Sequence, residues 1–159
     1  METLYIGGTD ITGNMSALSG LINLVDLEYG ITSLVTNVES FANMNNLKTL
    51  RLEGKYSSGD LSKLPAKLQY VQGYGTYTWD SERPYSSTIF GMNILTLNDN
   101  IDKMLINLAN CVKNDAESYK VECFTIKVRG NRTSASDSAI ATLQEKGVLS
   151  NTPFFIYMI

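Results

Sequence analysis

The chain repeats itself. Gly-Asn-Met-Ser-Ala-Leu at 13–18 returns as Gly-Asp-Leu-Ser-Lys-Leu at 59–64, with a looser copy, Asn-Val-Glu-Ser-Phe, at 37–41. Repeat starts at Met1, Leu24 and Leu47 give all three the same internal offset, at intervals of 23 and 23 residues. A period of roughly 20–50 residues restricts a chain to stacked units. One such unit cannot bury its apolar face alone, and neighbours stacked on it can.

Upstream of each echo runs apolar-x-x-apolar-x-apolar: Met1, Leu4, Ile6; Leu24, Leu27, Tyr29; Leu47, Leu50, Leu52. It continues as Leu68, Val71, Gly73; Met92, Leu95, Leu97; and Val121, Phe124, Ile126. Seventeen of these eighteen positions are apolar, where a composition 43% hydrophobic gives about eight by chance. The period-two piece predicts a strand with one buried face. Apolar residues then recur every third position, as in Met15, Leu18, Leu21 and Val38, Phe41, Met44, which suits a short α or 3₁₀ helix. Asn14, Asn37 and Asp60 stand just ahead of these pieces as N-caps. Each unit is therefore expected to run strand, turn, short helix, return.

Leu47-Lys-Thr-Leu50-Arg-Leu52 and Leu24-Val-Asp-Leu27 resemble leucine-rich repeats, whose pattern is L-x-x-L-x-L-x-x-N/C-x-L over about 20–29 residues. The likeness is to bacterial leucine-rich-repeat proteins. It is close over residues 1–68, looser over 92–110, and returns over 119–148 through Thr125-Ile-Lys-Val-Arg-Gly-Asn. The resemblance implies an α/β fold. Its form is a right-handed β-α solenoid with a short parallel sheet on the concave face and helices or 3₁₀ turns on the convex face. It also implies a C-terminal segment of such a solenoid and one domain over 1–159, with six repeats starting near 1, 24, 47, 68, 92 and 121. The ninth position, usually Asn in the family, holds Thr9, Thr32, Lys55, Thr76, Asn100 and Arg129. Threonine hydroxyls are expected to do part of the asparagine's work.

Residues 73–91 break the rhythm with glycines and Pro84, and read as an irregular loop rich in Tyr74, Tyr77, Trp79, Tyr85 and Phe90. These rings either grip a ligand or cover the core where a regular helix is lost. Ile101, Leu105, Leu108 and Val112 mark one face of an α-helix, with Asn98, Asp99 and Asn100 as cap candidates. A last helix is expected from about Ala135 to Lys146, capped through Ser134-Ala-Ser-Asp137. The apolar tail within 148–159 reads as a terminal strand covering the end of the stack. Cys111 and Cys123 fall on opposite sides, so two free thiols are expected.

Function is constrained mainly by exclusion. The chain has no histidine, which removes Ser-His-Asp and Cys-His catalysis and imidazole metal sites. Two cysteines cannot build a Cys₄ site. Neither a cofactor nor a metal is therefore expected. A net charge of −3 argues against a general nucleic-acid binder, and no apolar run is long enough to span a bilayer. Asp26 and Glu28 share one strand face but lie on an open sheet, so glycosidase chemistry is not expected. Met-Glu-Thr-Leu lacks a basic segment ahead of an apolar one, so no signal peptide is read. A surface or secreted location then requires a leader removed upstream, and a cytoplasmic one does not.

The expectation is a non-enzymatic protein-binding module working through the concave strand face. Its outward residues are Asp26, Glu28, Thr49, Arg51, Glu53, Tyr70, Gln72, Thr96, Asn98, Thr125 and Lys127, flanked by Thr3, Tyr5, Ile94 and Cys123. The alternatives are carbohydrate or cell-surface ligand binding through Tyr74, Tyr77, Trp79 and Tyr85, or a structural segment of a larger surface assembly. The first repeat begins without a cap, so either further repeats precede it or that edge associates with another chain.

Overall fold

The computed structural model describes residues 1–8, 10–30, 33–65, 67–80, 91–96, 101–111, 124–128 and 132–145. The strands are β1 (Thr3–Gly7), β2 (Thr12–Asn14), β3 (Asp26–Gly30), β4 (Ser33–Asn37), β5 (Thr49–Asp60), β6 (Tyr70–Thr78), β7 (Gly91–Thr96) and β8 (Phe124–Val128). Two helices, α1 (Asp102–Cys111) and α2 (Asp137–Glu145), follow β7 and β8. Strands β1, β3, β5, β6, β7 and β8 lie side by side in that order, every pair parallel, in a sheet that curls. Parallel neighbours need a crossover, and here the rest of each coil supplies it.

The register gives the repeat directly. Leu4 stands opposite Leu27, Leu27 opposite Leu50, and Leu50 opposite Val71. The starts of the coils are stitched alike: the Val25 and Asp26 N–H groups share the Glu2 carbonyl, and those of Lys48 and Thr49 share the Val25 carbonyl. Leu24, Leu27, Leu47, Leu50, Leu52, Leu68 and Val71 are fully buried, so in the second to fourth repeats the residues that carry the period are the core, while Met1 of the first is exposed.

The first four coils contain more than the expected strand and helix. After a corner comes a second parallel row, in which β2 pairs with β4 and β4 with the later half of β5, which pairs in turn with the later half of β6. A 3₁₀ turn follows at Met15–Leu18, Val38–Phe41 and Leu61–Lys63. The expected caps hold: the side chains of Asn14, Asn37 and Asp60 accept the backbone N–H of Ser16, Glu39 and Ser62, each at 2.9 Å. One N-cap of this kind stabilises a turn by about 1 kcal/mol.

Four expectations are corrected. Residues 73–78 are strand, not loop. Their glycines admit a close approach, since a Cβ on Gly75 would lie 2.1 Å from the Ser57 carbonyl oxygen and one on Gly73 would lie 2.7 Å from the Tyr77 hydroxyl. The fifth repeat starts three residues earlier than its apolar pattern indicates, because Met92, not Leu95, faces Val71. That strand has apolar residues at both parities, Met92 and Ile94 against Leu95, so the pattern fits two registers; an odd slip exchanges the faces. The final helix is capped by Thr133, whose hydroxyl accepts the Ala135 N–H, and starts with a 3₁₀ turn at Ser134–Ser136.

The fourth concerns Thr76, a ninth-position threonine that is exposed and not turned inward. Inside the fold, the Tyr29 hydroxyl lies 2.6 Å from both the Thr36 and Ser57 hydroxyls, with Tyr77 beside them, all buried. Burial pushes the phenols of Tyr29 and Tyr77 up. Hydroxyls from three coils thus satisfy one another where a lone polar group would be costly. Thr9, Thr32, Asn98, Asp99, Asn100, Val112, Cys123, Arg129 and the tail 148–159 lie outside the described residues.

The two helices pack on each other and extend the same core: Ile101, just ahead of α1, Met104, Leu105 and Leu108 of α1, and Ala139 and Leu143 of α2 are buried. Asp102 fastens the two together: its carboxylate accepts the Thr133 N–H at 3.0 Å, the Thr133 hydroxyl at 2.5 Å and the Ser136 hydroxyl at 2.7 Å. The hydrogen bonds from Thr133 and then Ser136 hold the Asp102 carboxyl below the usual range.

Candidate functional site

Alternation along the strands divides each one between core and surface. In β3, Leu27 and Tyr29 are buried while Asp26 and Glu28 are half-exposed; in β6, Val71 is buried while Tyr70 and Gln72 are half-exposed. In-register stacking then makes rows across the sheet. One is Thr3, Asp26, Thr49 and Tyr70; the next is Tyr5, Glu28, Arg51 and Gln72, which continues in register to Asn93 and Thr125. Glu53 stands one row further along β5.

Five of these side chains, Glu28, Arg51, Tyr70, Gln72 and Glu53, form one connected network, and Thr3 with Asp26 forms a separate pair. Arg51 Nη1 donates to Glu28 Oε2 at 2.7 Å, and its guanidinium carbon sits 5.3 Å from the Tyr70 ring centre. The Tyr70 hydroxyl donates to Gln72 Oε1 at 2.6 Å, and Gln72 Nε2 donates to Glu53 Oε1 at 2.9 Å. Thr3 reaches Asp26 Oδ2 at 3.5 Å. The Glu28 hydrogen bond raises the Arg51 pKa further above its ordinary value, so that cation is permanent. Both partners of the ion pair are about two-fifths exposed, a setting in which a salt bridge adds little to stability. What the network does add is orientation, because five long side chains hold one another in place ahead of any ligand.

Seven of the expected concave-face residues meet here: Asp26, Glu28, Thr49, Arg51, Glu53, Tyr70 and Gln72. Thr125 is in register with Asn93, and Lys127 with Leu95. Thr96 is in register with Gly75. Asn98 lies outside the described residues. The aromatic alternative comes apart: Tyr77 and Trp79 are 0% and 4% exposed, Tyr74 is half-buried, and Tyr85 lies outside the described residues. Tyr77 and Trp79 fill the core, and the Trp79 carbonyl accepts the Asn107 side-chain N–H of α1 at 2.8 Å.

Sequence reasoning placed the rows but not their contacts. It also missed the buried hydroxyl group and the Asp102 clamp, for which the only sequence signal was a small polar residue at an inward parity position, as at Thr36 and Ser57. Among the described residues, no three or more His, Cys, Asp or Glu side chains are grouped to hold a metal, and no helix is long and apolar enough to cross a membrane. No family model matches the chain, and neither a curated protein nor a solved structure matches it.

Proposed function

We propose that the chain is a leucine-rich-repeat solenoid whose concave strand face binds a protein partner, without catalysis. The 23-residue register, the capped 3₁₀ turns and the leucine core support the family reading. The binding reading rests on one observation: a solvent-facing group of Glu28, Arg51, Tyr70, Gln72 and Glu53 whose side chains are joined by hydrogen bonds and one cation–ring contact. Such preorganisation lowers the side-chain entropy lost on association. Function follows here from the site, since the fold alone supports many. Tyr77 and Trp79, two of the four rings on which a glycan reading rests, lie in the core.

The test is capture from the source organism by the immobilised wild-type chain, by an Arg51→Glu/Gln72→Ala variant, and by a Lys63→Glu/Lys67→Glu variant altered away from the face. Circular dichroism confirms that all three are folded. A protein retained by wild type and by the Lys63/Lys67 variant, but lost by the Arg51/Gln72 variant, is the expected result. Equal retention by all three, or by none, rejects the reading.

A further inference from the structure

Resting on that reading, the geometry points to the class of partner: we infer that the face takes an extended, cationic polypeptide segment. Among the described residues, four side chains of this surface spend a donor within it. Arg51 gives a proton to Glu28, Gln72 to Glu53, Tyr70 to Gln72, and Thr3 to Asp26. A carboxylate offers about four lone-pair sites, and Asp26, Glu28 and Glu53 each use one of these for the bonds just named. Among the described residues the carboxylates of this surface carry more acceptor sites than these bonds fill, and its guanidinium is neutralised by Glu28 and laid over Tyr70. A partner with amines or guanidiniums complements Asp26 and Glu53, whereas an acidic partner meets like charge there. Tyr5, in register with Glu28 and 66% exposed, adds an open ring on which a partner cation can stack.

Spacing narrows the class. Asp26 and Glu53 are the two carboxylates not bound to Arg51. They lie on adjacent strands, since Asp26 faces Thr49 and Glu53 lies two rows further along β5. With about 4.8 Å between strands and about 3.3 Å per residue, their backbones are roughly 14 Å apart, the reach of about four residues of extended chain. The segment is thus expected to carry Lys or Arg at positions i and i+4 while lying along the strand direction.

Fluorescence anisotropy on the 159-residue chain, with labelled peptides in a Ser/Thr/Gly host, tests this. The probes carry two lysines at i and i+4, two lysines at i and i+2, or two glutamates at i and i+4. The expected result is tightest binding of the i,i+4 lysine peptide, weakened by salt and weakened about three- to tenfold in a folded Asp26→Asn/Glu53→Gln variant. Equal binding of the glutamate peptide, or indifference of the lysine peptide to the double variant, overturns the inference. If no lysine peptide binds while the wild-type chain still captures a partner in an Arg51/Gln72-dependent way, the inference fails and the functional reading stands. If neither occurs, both fail.

Discussion

Tyr29→Phe removes one oxygen atom and isolates the contribution of the buried hydroxyl group. In the native chain that oxygen lies 2.6 Å from both Thr36 Oγ1 and Ser57 Oγ, in a site with no solvent access. Two hydrogen bonds at a net 0.5–1.5 kcal/mol each give about 1–3 kcal/mol. Ser57 keeps Tyr77 as a neighbour, so the desolvation penalty falls mainly on Thr36. A loss of about 2 kcal/mol corresponds to a Tm lower by roughly 4–8 °C for a chain of this size. Urea unfolding followed by circular dichroism reads it as a lower midpoint at unchanged slope. The double variant Tyr29→Phe/Thr36→Val removes both partners and is expected to lose about 1 kcal/mol less than the two single losses added together. A Tyr29→Phe chain within about 0.5 kcal/mol of wild type, or strict additivity in the double variant, refutes the claim that these hydroxyls support one another.

Gly75→Ala places a methyl against the Ser57 carbonyl and is expected to cost roughly 3 kcal/mol, while Gly7→Ala, with open space around it, changes thermal stability little. The Asp102 carboxyl titrates below its unfolded value of about 3.9, so its contribution is complete above that pH and is lost as pH falls through the lower folded value; an acid titration of the urea midpoint should fall more steeply for wild type than for Asp102→Asn. Tyr29 and Tyr77 have the opposite sign: their folded pKa values are raised, so stability is complete below about pH 10 and declines above it, and their tyrosinate absorbance should appear together with unfolding. Arg51→Ala is expected to leave stability within about 1 kcal/mol of wild type by thermal melt, because its ion pair is solvated.

The coil period, the core leucines and the three caps are legible in the amino-acid order because each rests on local chemistry repeated at a fixed interval. Asn14, Asn37 and Asp60 need only a small acceptor ahead of a turn. The face residues from Thr3 to Gln72 follow from alternation once the register is known. Beyond that, local signals become ambiguous. Gly73 and Gly75 carry the composition of a turn, yet their lack of a side chain makes room for Tyr77 of the same strand and for the Ser57 backbone of its neighbour. Met92 to Leu95 offer two equivalent parities, and only pairing with β6 selects one. Asp102 reads as an ordinary first-turn acid; its partners Thr133 and Ser136 lie more than thirty residues away, beyond the reach of any local pattern.

The corner between the two strand rows has a consequence for how such a molecule can vary. β5 carries residues 53–56 between paired Leu52 and Ser57, while its neighbour β6 carries Tyr74 alone between Gly73 and Gly75, yet both rows remain aligned on either side. Extra length at that bend is absorbed locally and transmitted to neither row. Insertions and deletions at this bend are therefore the tolerated ones, and a grafted peptide placed there would be displayed between two fixed ladders without shifting the leucines beneath.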